Sequence, residues 1–191
     1  MVEHKLNDGD ISRGCRQNDP DAWRHLIRDY TALVYRIAIR MIGNKQDAED
    51  ASQEVFMRVY RSINSHDPTR SLAPWLSKIT FNVCLKRISR RSQAAKKEVI
   101  LYADDLPEEE TTITPESQLT RKQMANRVWG ALDRLSAQDR ALVAMRYSEE
   151  FTDSEISEST NMPVGTVKTR LHRARGKLRK ILAPFFREAS V

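Results

Sequence analysis

The chain has 191 residues and a net charge of +6, which suits two small domains and favours a polyanionic partner. Its two cysteines, Cys15 and Cys84, lie far apart and its four histidines are scattered, so the sequence predicts no disulfide framework, metal site or cofactor. No signal peptide opens the chain and no apolar run approaches the ~20 residues of a membrane span, so we expect a cytoplasmic protein without membrane insertion.

The first half of the chain shows helical periodicity and no strand alternation. A first helix begins at Asp19 or Asp21 and ends at Gly43, a residue typical of helix C-termini. A second helix is predicted over residues 46–63, and a third begins near Pro74, because proline is tolerated in a first turn. The third helix continues into six cations with no acid among them: Lys86, Arg87, Arg90, Arg91, Lys96 and Lys97.

An acidic segment separates this helical part from the rest of the chain. Residues 104–116 contain six acids and no cation, and Pro107 and Pro115 interrupt any helical period. Such a segment cannot bury enough apolar surface to fold alone. We therefore predict an acidic flexible linker over residues 96–120; its composition leaves open whether it is a mere tether or has a binding role.

The residues after the linker predict four more helices, and the last two form a helix-turn-helix. Thr152 can cap the third of them, with Glu155 placed to complete a capping box. Asn161 tolerates the positive φ that the turn needs, and Pro163 prevents the helix from continuing. The four predicted helices are 121–135, 138–147, 152–160 and 164–182.

The last predicted helix combines an apolar stripe with a cationic face. Val167, Leu171, Ala174 and Leu178 recur at spacings of three and four and should face the core. Residues 168–180 contain seven cations and no carboxylate, a pattern typical of a helix that lies against nucleic acid. The simpler alternative is a solvated amphipathic helix, which the coincidence of cap, turn and uncompensated charge disfavours.

Three parts of the chain, in this order, carry a family resemblance: residues 47–56, residues 73–82, and residues 132–135 with 163–170. They make the chain resemble a bacterial RNA polymerase sigma factor of the extracytoplasmic-function (ECF) type. Residues 47–56 look like the family's polymerase-binding helix, and residues 73–82 look like the segment that melts and recognises the −10 promoter element. Residues 132–135 and 163–170 look like the region that recognises the −35 element. The resemblance implies an all-α fold with two small helical domains, over residues 1–95 and 121–191, joined by the linker.

The resemblance also implies three binding surfaces and no catalytic residue. The core-polymerase surface comprises Asp47, Asp50, Gln53 and Glu54. The −10 surface comprises Lys78, Asn82, Lys86, Arg87, Arg90 and Arg91. The −35 surface comprises Thr166, Lys168, Thr169, Arg170, His172, Arg173 and Arg175. The expected partners of this monomer are core polymerase, promoter DNA (duplex at −35, melted at −10) and an anti-sigma factor.

Individual roles follow from the same resemblance. Asn82 lines a pocket for a flipped −10 base, where an amide offers both a donor and an acceptor. The arginines after it track backbone phosphates, and so do Arg170 and Arg175 in the last helix. An ordinary solvated helix face remains the alternative for the polymerase-binding acids. The basic surfaces on either side of the acidic linker suggest, as a hypothesis, a closed arrangement of the two domains.

The chain departs from the family pattern at several positions. Ser159 and Thr160 stand where larger aliphatic residues are usual, which predicts looser packing of their helix. Leu72 stands where an aromatic residue is common, and the melting segment has only two aromatic candidates for strand separation, Trp75 and Phe81, of which Trp75 is expected in the core.

Two other classes of protein remain alternatives. A response regulator or helix-turn-helix repressor would need a strand-rich domain ahead of the DNA-binding unit, and the first half of the chain predicts none. A nucleic-acid-processing enzyme would need clustered metal ligands or a nucleophile with its base. The acids of residues 47–54 share one exposed helix face without histidine support, which disfavours that class.

Overall fold

The computed structural model describes the backbone of residues 6–99 and 121–188, and the side chains of residues 6–93 and 127–184. Over these residues it contains eight α-helices, a short 3-10 turn at Ile63–Ser65 and no strand, which confirms the all-α fold class. Most of the predicted linker lies outside the described residues. The helices are α1 (Asp8–Arg16), α2 (Pro20–Ile42), α3 (Lys45–Ser62), α4 (Leu72–Val99), α5 (Arg121–Asp133), α6 (Ala137–Tyr147), α7 (Asp153–Thr160) and α8 (Val164–Glu188).

In the N-terminal module, which comprises α1 to α4, the helices α2, α3 and α4 begin largely where the sequence predicts. The Asp19 side chain accepts a hydrogen bond from the Asp21 amide at the start of α2. Gly43 ends that helix with φ of 78°, in the left-handed region that glycine adopts without strain. Asn44 then caps α3 by accepting from the Asp47 amide. The core between α2, α3 and α4 is built from aliphatic side chains: Leu26, Val34, Ile37, Met41, Val55, Val59, Leu76 and Val83.

Helix α1 was not predicted from the sequence, and it fixes the start of α4. Its first residue, Asp8, accepts hydrogen bonds from the Leu72 amide and the Ser71 hydroxyl, both at 2.9 Å. The Tyr30 hydroxyl donates to the same carboxylate. Burial, together with this hydrogen bond, raises the pKa of Tyr30 above its ordinary value. Asp8 therefore joins α1, α2 and α4 at one point.

The helix-turn-helix of the C-terminal module, α5 to α8, confirms the predicted caps and turn. The Thr152 hydroxyl accepts from the Glu155 amide while the Glu155 carboxylate accepts from the Thr152 amide, a complete capping box. Asn161 adopts φ of 57° between α7 and α8. Val167, Leu171 and Ala174 are buried as the stripe predicts, and Leu178 packs against the same core.

The two modules pack against each other, with α6 on α2 and α7 on α4; we call this the closed arrangement. The expectation of loose packing around α7 was wrong. Ser159 and Thr160 are buried, and their hydroxyls donate to helix carbonyls one turn earlier. Ser159 Oγ also lies 3.2 Å from the Pro74 carbonyl oxygen, because the small side chain lets α7 approach the first turn of α4.

Candidate nucleic-acid and polymerase interfaces

Helix α8 presents its polar face to solvent. Its buried stripe fixes the rotation of the helix, so the residues on the opposite side point outward. The outward side chains of a helix buried in this way can reach base edges and phosphates when the helix lies in the major groove of DNA. The exposed residues of the predicted −35 surface are Thr166, Lys168, Thr169, His172, Arg173 and Arg175.

Arg170 differs from the other predicted −35 residues because its side chain is half-buried and internally paired. Arg170 Nε donates to Asp139 Oδ1 at 2.8 Å, and Nη1 donates to Gln138 Oε1 at 2.7 Å. These contacts attach α8 to the first turn of α6. We therefore assign Arg170 to holding α8 in place rather than to contacting a phosphate.

The predicted −10 surface begins with a stripe along α4. Lys78, Asn82 and Lys86 are spaced by four residues and share one face of the helix. Asn82 and Lys86 are exposed, whereas Lys78 is half-buried in a small cavity that Met162 and Pro163 also line. In the closed arrangement the α7–α8 turn thus lies beside the N-terminal end of this stripe.

In the part of the chain that the structure describes, two of the three arginines of the −10 surface are paired with carboxylates and the third is not. Arg91 Nη1 lies 2.6 Å from Asp47 Oδ2. Arg87 lies 2.9 Å from Glu54 Oε2 by its Nη2 atom, and its Nε donates to the same oxygen at 3.0 Å. Arg90 is exposed and has no carboxylate partner among the described side chains.

The predicted core-polymerase surface is accordingly split into two. Asp50 and Gln53 are exposed, while Asp47 and Glu54 are half-buried against α4. Partial burial would raise the pKa of Glu54, but hydrogen bonds from Arg87 and Arg58 outweigh this effect and hold the pKa below its ordinary value. Glu54 is therefore ionised and paired at neutral pH.

An apolar patch beside Gln53 was missed in the sequence. Ile27, Met57 and Tyr60 are 47%, 56% and 59% exposed, and Phe56 lines the same shallow groove. Exposed apolar clusters of this kind mark surfaces that bind other proteins. The signal was present in α3, where Met57 and Tyr60 fall outside the stripe of buried residues.

The expectation for the two aromatic candidates was wrong, because Trp75 is the more accessible of the two. Phe81 is buried in the core at 2% exposure, which removes it from the set of exposed aromatics. Trp75 is half-buried, with its ring centroid 5.1 Å from that of His66. Burial lowers the pKa of His66, and nearby Arg16 acts in the same direction against the hydrogen bond to the Ser71 carbonyl.

Arg140 joins the two modules through backbone carbonyls. Its Nε donates to the Arg40 carbonyl at 2.6 Å and Nη2 donates to the Met41 carbonyl at 3.0 Å, both in the last turn of α2. Its Nη1 donates to the Asp133 and Leu135 carbonyls at 3.2 and 3.1 Å, where α5 ends. One guanidinium thus satisfies carbonyls at two helix C-termini.

Two ion pairs and one ring contact add to the connection between the modules. Arg36 makes a bidentate pair with Glu149, with both oxygens at 2.6 Å. Arg70, in the loop before α4, lies 2.6 Å from Glu158 in α7. The Arg40 guanidinium stacks on the ring of Trp129. The closed arrangement therefore combines α7 covering the start of α4 with polar contacts at its edges.

One family model matches the N-terminal module and another matches the C-terminal module. The model for sigma-70 region 2 matches residues 26–94, and the model for sigma-70 region 4 matches residues 125–178. The ECF RNA polymerase sigma factor SigW of Bacillus subtilis (strain 168) is 33% identical over 175 residues, which cover 87% of this chain and 92% of SigW. The chain belongs to the ECF RNA polymerase sigma factors.

Other comparisons agree with this assignment. The ECF sigma factor SigE of Mycolicibacterium smegmatis is 35% identical over 162 residues, covering 85% of this sigma factor and 62% of SigE. Among solved structures, the sigma factor RpoE in complex with the anti-sigma factor NepR from Bartonella quintana matches with a TM-score of 0.67, 20% identity and coverage of 84% and 96%. CnrH in complex with the cytosolic domain of CnrY matches with a TM-score of 0.66, 18% identity and coverage of 93% and 97%. These structures show the same fold.

The described part of the sigma factor contains neither a membrane-spanning helix nor a cluster of metal-binding side chains. None of its helices is long and apolar enough to cross a bilayer. No group of three or more histidine, cysteine or carboxylate side chains is placed to bind a metal ion in the described ranges.

Proposed function

We propose that this sigma factor binds core RNA polymerase and directs it to promoters by recognising −10 and −35 elements, acting in the cytoplasm and without enzymatic activity of its own. The main supporting observation is the solvent-exposed polar face of α8, whose buried stripe anchors it in the C-terminal module. A bidentate arginine on guanine contributes about 1–3 kcal/mol of base discrimination, so a few such residues suffice for promoter choice.

For core binding, the proposed surface combines polar and apolar parts of α3. Asp50 and Gln53 are the exposed members of the predicted set, and the patch of Ile27, Met57 and Tyr60 lies beside Gln53. An apolar centre with a polar rim is the usual composition of a protein interface. Asp47 and Glu54 complete the acidic edge once their internal pairing is broken.

For regulation, we infer an anti-sigma factor as partner. The solved structures that share this fold include the sigma factor RpoE in complex with the anti-sigma factor NepR, and CnrH in complex with the cytosolic domain of CnrY. In this chain α7 covers the start of α4, so a regulator that stabilises the closed arrangement would restrict access of DNA to the N-terminal end of the −10 surface, at Lys78.

Run-off transcription with core polymerase on a promoter library tests the function. We expect transcripts only when the protein is added, from sites that share spaced −35 and −10 elements. Arg173→Ala should reduce transcription from these sites while core binding stays unchanged, because Arg173 is exposed on α8 and α8 belongs to a different module from α3. Arg24→Ala, which removes an exposed cation of α2 outside the three predicted surfaces, is the control.

The opposite results are equally definite. Tight duplex binding with no transcripts would favour a repressor. Loss of core binding in Arg173→Ala would show that this side chain has a structural role rather than a role in recognition.

A further inference from the structure

Two arginines of the proposed −10 surface are held by two carboxylates of the proposed polymerase surface. The Arg91–Asp47 pair and the Arg87–Glu54 pair both connect α4 to α3, at 2.6 Å and 2.9 Å. In the free protein each carboxylate therefore neutralises a cation that DNA phosphates would require. Each arginine equally neutralises an acid that a basic polymerase surface would require.

We propose that these pairs are exchanged during assembly: core polymerase takes over Asp47 and Glu54, and this releases Arg91 and Arg87 for phosphates of the −10 strand. The inference rests on the proposed function and adds an order of events to it. Core binding comes first, and full affinity for −10 DNA follows, because the same four side chains cannot satisfy both internal and external partners.

The geometry makes the exchange inexpensive. The Arg91 side chain is 65% exposed and Asp47 is 34% exposed, and ion pairs this open to solvent contribute little to stability. Glu54 also accepts from Arg58 at 2.7 Å, so it keeps one partner when Arg87 leaves. Neither pair is needed to complete the aliphatic core beneath it.

The neighbouring cations provide an internal comparison. Lys86 and Arg90 lie on the same helix, and neither has a carboxylate partner among the described side chains. They can contact phosphates whether or not core is bound. The free protein should therefore bind the −10 strand weakly, and core should strengthen binding through Arg87 and Arg91 alone.

The first test is the double variant Asp47→Asn/Glu54→Gln in the full chain, without core. The probe is a labelled single-stranded oligonucleotide covering the −10 element of a promoter that the run-off assay selects. We expect binding about three- to tenfold tighter than wild type at low salt, from two weak pairs removed. The slope of the logarithm of the association constant against the logarithm of the salt concentration should become more negative by about 1.4, because each of the two new phosphate contacts on a single strand contributes about 0.7.

The matched control is Glu49→Gln/Asp50→Asn, which removes the same charge from exposed positions of the same helix. Neither of these side chains contacts Arg87 or Arg91 in the structure; only the Asp50 backbone carbonyl does. If the control tightens binding as much as the test variant, or if the test variant binds like wild type, the exchange is refuted. Circular dichroism melts verify that both variants are folded.

The converse variant tests the polymerase side. Arg87→Ala/Arg91→Ala frees Asp47 and leaves Glu54 paired with Arg58 alone, so core affinity should rise about threefold or more, while oligonucleotide binding in the presence of core falls. Lys86→Ala/Arg90→Ala removes the same charge without freeing an acid, and its core affinity should stay near that of wild type. Equal core affinities in the two variants would refute the exchange. If wild type with core produces no transcripts, the proposed function itself fails, which is a separate result.

Discussion

Replacing Ser159 by leucine should open the closed arrangement. Ser159 is completely buried between α7 and the first turn of α4, with its hydroxyl 3.2 Å from the Pro74 carbonyl. A leucine there forces the helices apart, and overpacking of this kind costs about 1–3 kcal/mol. The lost hydrogen bond adds about 1 kcal/mol. Together these terms shift the ratio of closed to open molecules by roughly 30- to 700-fold at about 1.4 kcal/mol per factor of ten.

The strain is specific to the contact between modules, because separation of α7 from α4 returns position 159 to solvent. Ser154→Leu makes the same chemical change at an exposed position of α7 and is the matched control. Its behaviour should equal that of wild type.

The assay is energy transfer between dyes on cysteines introduced at the exposed positions Gln46 and Lys177, one in each module. The native thiols do not interfere, because burial raises the pKa of Cys15 to about 11 and that of Cys84 to about 12, which leaves little thiolate to label at neutral pH. We expect lower transfer efficiency in Ser159→Leu alone. An unchanged transfer efficiency in Ser159→Leu, or an equal change in Ser154→Leu, would refute the reasoning.

Two further predictions concern stability. The pKa of His66 in the folded protein lies below its ordinary value of 6.5, so between the two pKa values the unfolded state binds more protons than the folded state. The free energy of unfolding should therefore fall as the pH drops below about 6.5. In urea melts, His66→Gln should make the free energy of unfolding less dependent on pH. A steeper dependence in His66→Gln would contradict the assignment. Thr152→Ala removes the hydroxyl of the capping box and should lower the stability of the C-terminal module by about 0.5–2 kcal/mol, as measured by denaturation. The control is Thr69→Ala, in the exposed loop before α4, which should leave the stability of that module unchanged. Equal losses in the two variants would show that the cap contributes nothing specific.

Local signals were sufficient to predict most helices. The ends of α2 are marked by Asp19 and Gly43, and those of α7 by Thr152 and Asn161, because caps and left-handed turns depend on residues close in sequence. Helix α1 was missed because it has only nine residues, too few for a clear period. Its stability depends on contacts with distant parts of the chain.

The binding surfaces were predictable only to the extent that they depend on one helix. The outward face of α8 followed from its apolar stripe, as the exposure of Arg173 shows. The pairing of Arg170 with Asp139 and of Arg91 with Asp47 joins residues 31 and 44 positions apart. No periodicity encodes such pairs, and the contact of Ser159 with Pro74 across 85 positions is equally invisible in the sequence.

The exposed face of α8 has a consequence for how the closed protein searches for its site. Because α7 covers the start of α4 while the cationic face of α8 stays in solvent, a closed molecule can still associate with double-stranded DNA through phosphate contacts. Such contacts permit sliding and hopping along a duplex, with a residence time that falls steeply with salt. Under the proposed function, the closed molecule should therefore travel along a chromosome and pause at −35 sequences before polymerase arrives.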